Sequence, residues 1–209
     1  MSESIAAFNP EVDAPAHHHP VYDYESGPPV ERGKFAIWLF LGTEIMFFAG
    51  LIGTYIVLRS GSATWPNPQD RLAVDLTAFN TFVLITSSWL MVKSLFAADK
   101  GDKAGTLKWL ALTIVGGSFF VGVQVYEYIQ LYNHGSLPNV DIFWSTFYVM
   151  TGFHGLHVIV GVIWLICAWF NTLKGKYTPQ NYLGLELAGL YWHFVDLVWV
   201  LLFTIVYLF

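Results

Sequence analysis

Five long apolar stretches, none containing a proline, decide what this chain can fold into. They run near 35–58, 74–97, 108–131, 144–170 and 183–208. Each reaches the roughly 20 residues that a helix needs to cross a hydrocarbon core. The nine prolines stand at 10, 15, 20, 28, 29, 66, 68, 138 and 179, outside every stretch. A backbone in lipid must satisfy its own N–H and C=O groups, so unbroken helices are expected. The connecting segments carry turn chemistry: SGSATWPNP at 60–68, NHGSLPN at 133–139 and KGKYTPQN at 174–181. The fold class is therefore all-α, a polytopic membrane bundle of five helices.

Composition agrees. Only 12% of the 209 residues are charged, against about 25% in soluble domains. Nine Trp and 17 Phe exceed what a small soluble core would hold. Residues 1–34 differ: five prolines and six acids there oppose a packed core, and a polar, irregular tail is expected. It contains HHHP, whose His17, His18 and His19 could take adventitious metal. The tail lacks an apolar leader, so the first span is expected to act as its own insertion signal. Cys167 is the one cysteine. It cannot close an internal disulfide and reads as a small buried hydrophobe.

The second stretch is the weakest, with Asp75, Asn80, Thr86, Ser87, Ser88 and Lys93 inside it. Charge placement argues that it crosses. With five crossings, Arg32, Lys34, Lys93, Lys100, Lys103, Lys108, Lys174 and Lys176 share one side, and Arg59 and Arg71 take the other. That asymmetry places the N-terminus in the cytoplasm and the C-terminus outside. Removing one crossing would spoil it. Small residues within the spans (Gly42, Ala49, Gly53, Gly116, Gly117, Gly152, Gly155, Gly184, Ala188) would allow close helix approach. Trp65, Trp109, Trp144 and Trp169 sit near span ends, where indoles favour the interface. No internal repeat is evident, which weakens a membrane-carrier reading.

Ionisable side chains at membrane depth point to function, because each costs roughly 2.5–3.5 kcal/mol at a helix centre on insertion scales. Glu44 lies about ten residues into the first span, roughly 15 Å deep. Gln124 and Glu127 share a face of the third, and His154 and His157 a face of the fourth. Glu186, His193 and Asp196 form a stripe on the fifth, with Trp192 and Trp199 flanking the His193–Asp196 pair. The simplest account turns these faces inward so that carboxylate, amide and imidazole satisfy one another. His154 and His157 should then find partners such as Gln124 or Glu127, or a bound lipid. A metal centre would need three or four converging donors, and His-x-x-His supplies two. A haem held by His193 with His154 or His157 is permitted by depth, and so is a proton path using Glu44 or the fifth-span stripe.

Four segments carry a resemblance: EIMFFAGLIGTY (44–55), VQVYEYIQ (123–130), STFYVMTGFHGLHVIVGVIWL (145–165) and GLELAGLYWHFVDLVWVLLFTIVY (184–207). With FHGLHV followed by YWHFVDLVW, the chain resembles subunit III of the haem–copper terminal oxidases, in its short five-span bacterial form. The match covers 35–209. It implies a bundle with a V-shaped, phospholipid-holding cleft in the bacterial cytoplasmic membrane. It implies no cofactor on this chain, with haem and copper held by partner subunits. Subunit I would be the main contact, with subunit II, possible contact with subunit IV and a possible respiratory supercomplex beside it; nucleic acid is not among the partners. Cytochrome c oxidase is favoured; a quinol oxidase and the related accessory subunit of a nitric oxide reductase are the alternatives. Glu44, His154, His157, Trp192, His193 and Asp196 match family signature positions, with roles in structure, lipid binding and subunit contact.

Overall fold

The computed structural model describes residues 32–63, 65–68 and 71–209. His17, His18 and His19, with most of the polar tail, lie outside the described residues. Five helices long and apolar enough to cross a membrane account for nearly all the rest. They are α1 (Arg32–Gly61), α2 (Val74–Asp99), α3 (Lys103–Asn133), α4 (Ile142–Leu173) and α5 (Leu183–Phe203); α5 continues as a wider π-helical turn at Thr204–Leu208.

Most helices outrun the apolar stretches that announce them, because their ends are set by caps rather than hydropathy. The Asp102 carboxylate accepts the Gly105 N–H at 2.9 Å, and Asp141 accepts that of Trp144 at 2.9 Å. At the other ends Gly101, Gly135 and Gly175 take positive φ and close α2, α3 and α4.

The helices α2, α3, α4 and α5 form a closed ring, each packed on the next and α5 returning to α2. Contacts run in opposite senses along α2 and α5: Thr81 meets Trp199, Ser88 meets His193, and Asp99 meets Tyr182. This is an up-and-down four-helix bundle. α1 leans on α4 and α5 from outside the ring. It runs parallel to α5, since Lys34 pairs with Glu186 and Arg59 reaches the Phe209 carbonyl. α5 is the most enclosed helix and α1 the least. An apolar groove of 420 Å³ opens between these two, lined by Trp38, Ile45, Phe48, Phe194 and Leu201 among others.

Trp192 shows how closely the ring packs. Its indole slots between α3 and α4, where a Cβ at Gly117 would lie 2.8 Å from Trp192 Cζ2, and one at Gly161 3.0 Å from Cε3. Other expectations about small and aromatic residues need correcting. Gly42, Gly53 and Gly155 meet nothing nearby, because they face outward on the bundle. Trp144 is buried against Phe143 and Phe147 rather than lying at the interface. Cys167 is exposed on the outside of α4. In a membrane protein the outer surface is as apolar as the core, so hydrophobicity alone does not place a residue inside.

Candidate intramembrane polar site

The site consists of two carboxylates held in different ways. Glu44, on α1, meets His157 on α4: Oε2 lies 3.0 Å from Nε2. Both side chains retain some exposure, 19% for Glu44 and 13% for His157. The other ring nitrogen, Nδ1, lies 2.7 Å from the Phe153 carbonyl one turn back. A carbonyl only accepts, so Nδ1 carries a hydrogen. A proton must then also lie between Nε2 and the carboxyl, since two lone pairs would repel. Phe47 and Phe48 close round the pair, with ring centroids 6.4 Å and 5.1 Å from that of His157.

Glu127 lies inside the ring, with only 5% of its surface exposed. Its carboxylate accepts from the Tyr207 hydroxyl at 3.0 Å and from Thr77 at 3.3 Å. Tyr207 sits in the π-helical turn and is fully buried. Glu127 also lines a cavity of 340 Å³ at the far end of the bundle, with Arg71, Gln130 and His134.

Between the two acids stands His154, fully buried and stacked on Trp199 with centroids 4.8 Å apart. Phe120 meets it edge-on at 5.9 Å. The Trp199 indole donates to Thr81 at 2.9 Å and that of Trp192 to Ser87 at 3.2 Å. The Thr81 hydroxyl itself donates back to the Thr77 carbonyl at 2.7 Å, and Ser87 to Leu84 at 2.6 Å. Their lone pairs are thereby left for α5. His193 Nδ1 lies 2.6 Å from the Ser88 hydroxyl. Among the described residues no three His, Cys, Asp or Glu side chains converge as metal donors would.

The family model for cytochrome c oxidase subunit III matches residues 22–209. The cytochrome c oxidase subunit 3 of Thermostichus vulcanus is 37% identical over 194 residues, covering 92% of this chain and 90% of that relative. That of Alkalihalophilus pseudofirmus is 39% identical over 181 residues, covering 85% and 87%. The quinol oxidase subunit 3 of Bacillus spizizenii is 35% identical over 181 residues, covering 85% and 89%. The chain belongs to the cytochrome c oxidase subunit III family. It is a subunit III of a haem–copper oxidase.

In this subunit III the sequence-derived residues fall into three groups. Glu44 and His157 come together across α1 and α4. His154, Trp199, Trp192, Gln124 and Glu127 line the ring interior. The stripe on α5 takes its partners from neighbouring helices. Glu186 bonds Lys34 at 2.8 Å, while His193 and the Asp196 carboxyl both meet the Ser88 hydroxyl on α2, with Asp196 Oδ1 left without a partner. Seven residues along a helix span about 10.5 Å, too far for a hydrogen bond, so partners come from neighbouring helices at the same height. His154 likewise bonds neither Gln124 nor Glu127; its ring nitrogens and the Gln124 amide are unpartnered. Sequence reading missed Tyr207, Thr77 and Thr81. The signal for the two threonines is the spacing of Thr77, Thr81, Leu84, Ser88 and Met91, one buried face of α2 that mixes small hydroxyls with apolar residues.

Proposed function

We propose that this chain is a non-catalytic subunit of a proton-pumping haem–copper respiratory oxidase, with cytochrome c as the favoured electron donor. Haem and copper sit on partner subunits. One observation supports a passive electronic role: each intramembrane histidine is bonded or enclosed by this chain's own groups. His157 is held by Glu44 and the Phe153 carbonyl and His193 Nδ1 by Ser88, while His154, whose ring nitrogens are unbonded, is fully buried with its ring face against Trp199. A haem or metal would have to displace those contacts.

The same reading assigns residues 35–209 to the membrane domain and 1–34 to a cytoplasmic tail. The eight basic side chains at the α1-start end mark the cytoplasmic face, and the C-terminus is periplasmic, in the bacterial inner membrane. The main contact is subunit I, with subunit II and a fourth subunit further along the complex, itself open to a respiratory supercomplex. The α1–α5 groove suits phospholipid acyl chains, being lined almost wholly by apolar side chains. In that setting Glu44, Gln124, Glu127, His154, His157, Glu186, Trp192, His193, Asp196 and Trp199 serve structure, lipid binding and subunit contact. The chain supports subunit I stability, oxygen access and proton uptake.

The test is optical and analytical. The chain purified alone should show no Soret band and no stoichiometric copper, while affinity-tagged chain drawn from native membranes should bring redox-active subunits with it. A haem spectrum on the isolated chain would overturn the assignment. The Bacillus spizizenii relative favours a second reading, a quinol-oxidising complex; turnover of the co-purified complex with reduced cytochrome c against a quinol separates the two. A solute carrier, the reading from another class, would require transport by the isolated chain in liposomes.

A further inference from the structure

Three buried polar side chains inside the four-helix ring remain short of partners. Asn80 Oδ1 and both ring nitrogens of His154 make no hydrogen bond within the chain, and the Gln124 amide, beside the Tyr128 hydroxyl, makes none of good geometry. Asn80 is 1% exposed, Gln124 5% and His154 0%. The three come from α2, α3 and α4 and cluster around one aromatic pair. Asn80 Nδ2 donates to the Phe120 carbonyl at 3.2 Å, the Phe120 ring meets His154 at 5.9 Å and Trp199 at 4.8 Å, and Gln124 follows Phe120 by one turn. Four helices enclose these atoms, so neither a lipid headgroup nor a partner subunit reaches them.

A buried nitrogen or oxygen left unbonded costs about 1–3 kcal/mol. Five such atoms together would consume much of the 5–15 kcal/mol by which native proteins are typically stable. The group that satisfies mixed donors and acceptors at such a place is water, which makes about three hydrogen bonds when buried. Asn80 Oδ1 and Gln124 Oε1 accept, Gln124 Nε2 donates, and neutral His154 does one of each. We propose that this subunit binds ordered water between Asn80, Gln124 and His154, as a fixed part of its core. The 340 Å³ cavity that Glu127 lines is the route proposed for that water. Gln124 lies three residues deeper than Glu127 on the same face of α3. The proposal is independent of which electron donor the complex uses.

The experiment has two arms, both on the full chain with whatever subunits accompany it from the membrane. A density map at about 2 Å should show solvent peaks within 3.2 Å of Gln124 Oε1 or Nε2 and of a His154 ring nitrogen. A dry site, or direct side-chain pairing among the three residues, overturns the proposal. The second arm is thermal unfolding of Gln124→Met and His154→Phe, which keep size and remove polar atoms. If water satisfies these groups, each variant melts roughly 2–4 °C lower per kcal/mol lost. An unchanged or raised Tm overturns the proposal, because removing unsatisfied atoms relieves a cost. Should either variant fail to fold, the wild-type map alone decides.

Discussion

Glu44 and Glu127 are both carboxylates at membrane depth, yet the fold treats them differently. Glu44 sits on the outlying helix, partly exposed, and its partner is a titratable imidazole. Glu127 sits inside the ring and its partners are two hydroxyls. A hydroxyl cannot supply a full countercharge, so Glu127 depends on its hydrogen bonds to offset the cost of burial. An imidazole can, so Glu44 needs less cover. The difference separates a group built into the packing from one displayed at a seam where a neighbouring subunit could meet it.

Variants can break or sharpen that contrast. The largest effect is expected at Trp199→Ala, which removes the ring stacked on His154, the bond to Thr81 and a fully buried volume. Thermal or denaturant unfolding in detergent should show a loss of about 3–5 kcal/mol. A loss under 1 kcal/mol would mean that the ring interior is not the stable half of the molecule. Next comes Tyr207→Phe, which leaves Glu127 with Thr77 alone and should cost about 1–3 kcal/mol. Glu127→Gln, which keeps an acceptor, should cost less than Glu127→Leu.

At the seam, a double-mutant cycle of Glu44→Gln with His157→Phe should give a coupling of about 0.5–3 kcal/mol. Glu44→Gln paired with Tyr207→Phe should be additive, since the two sites share no partner. Strong coupling in that second cycle would erase the distinction between the regions. The smallest effect belongs to Lys34→Met. The Lys34–Glu186 bridge is exposed by 37% and 28% on its two sides, and such pairs are worth about 0–1 kcal/mol. Circular dichroism and unfolding should barely change.

Much of this architecture is written plainly in the chain. Proline-free apolar runs fix five helices, and Asp102, Asp141 and the glycines at 101, 135 and 175 carry the end signals. The doubtful second span proves to be the one whose buried hydroxyls serve α5. The polar positions were legible one by one; their partners were not. Helical periodicity tells which residues share a face, but a hydrogen bond across a bundle depends on the relative height of two helices. That height follows from loop lengths and from where bulky residues such as Trp192 find a glycine slot. Hence Glu186, His193 and Asp196 share one stripe yet serve different neighbours: Glu186 meets Lys34 on α1, and His193 and Asp196 meet Ser88 on α2.

The bond from His157 Nδ1 to the Phe153 carbonyl has an electrostatic consequence. With that hydrogen fixed, the Glu44–His157 pair contains one further proton, placed on oxygen or on nitrogen. Either placement leaves the pair neutral overall, so in both the surrounding hydrocarbon faces a dipole rather than a net ion. What changes between the two is the direction and size of a local dipole about 3 Å long. A charge appearing on an adjoining subunit can be answered by moving that one proton across the gap, with no ion entering the lipid.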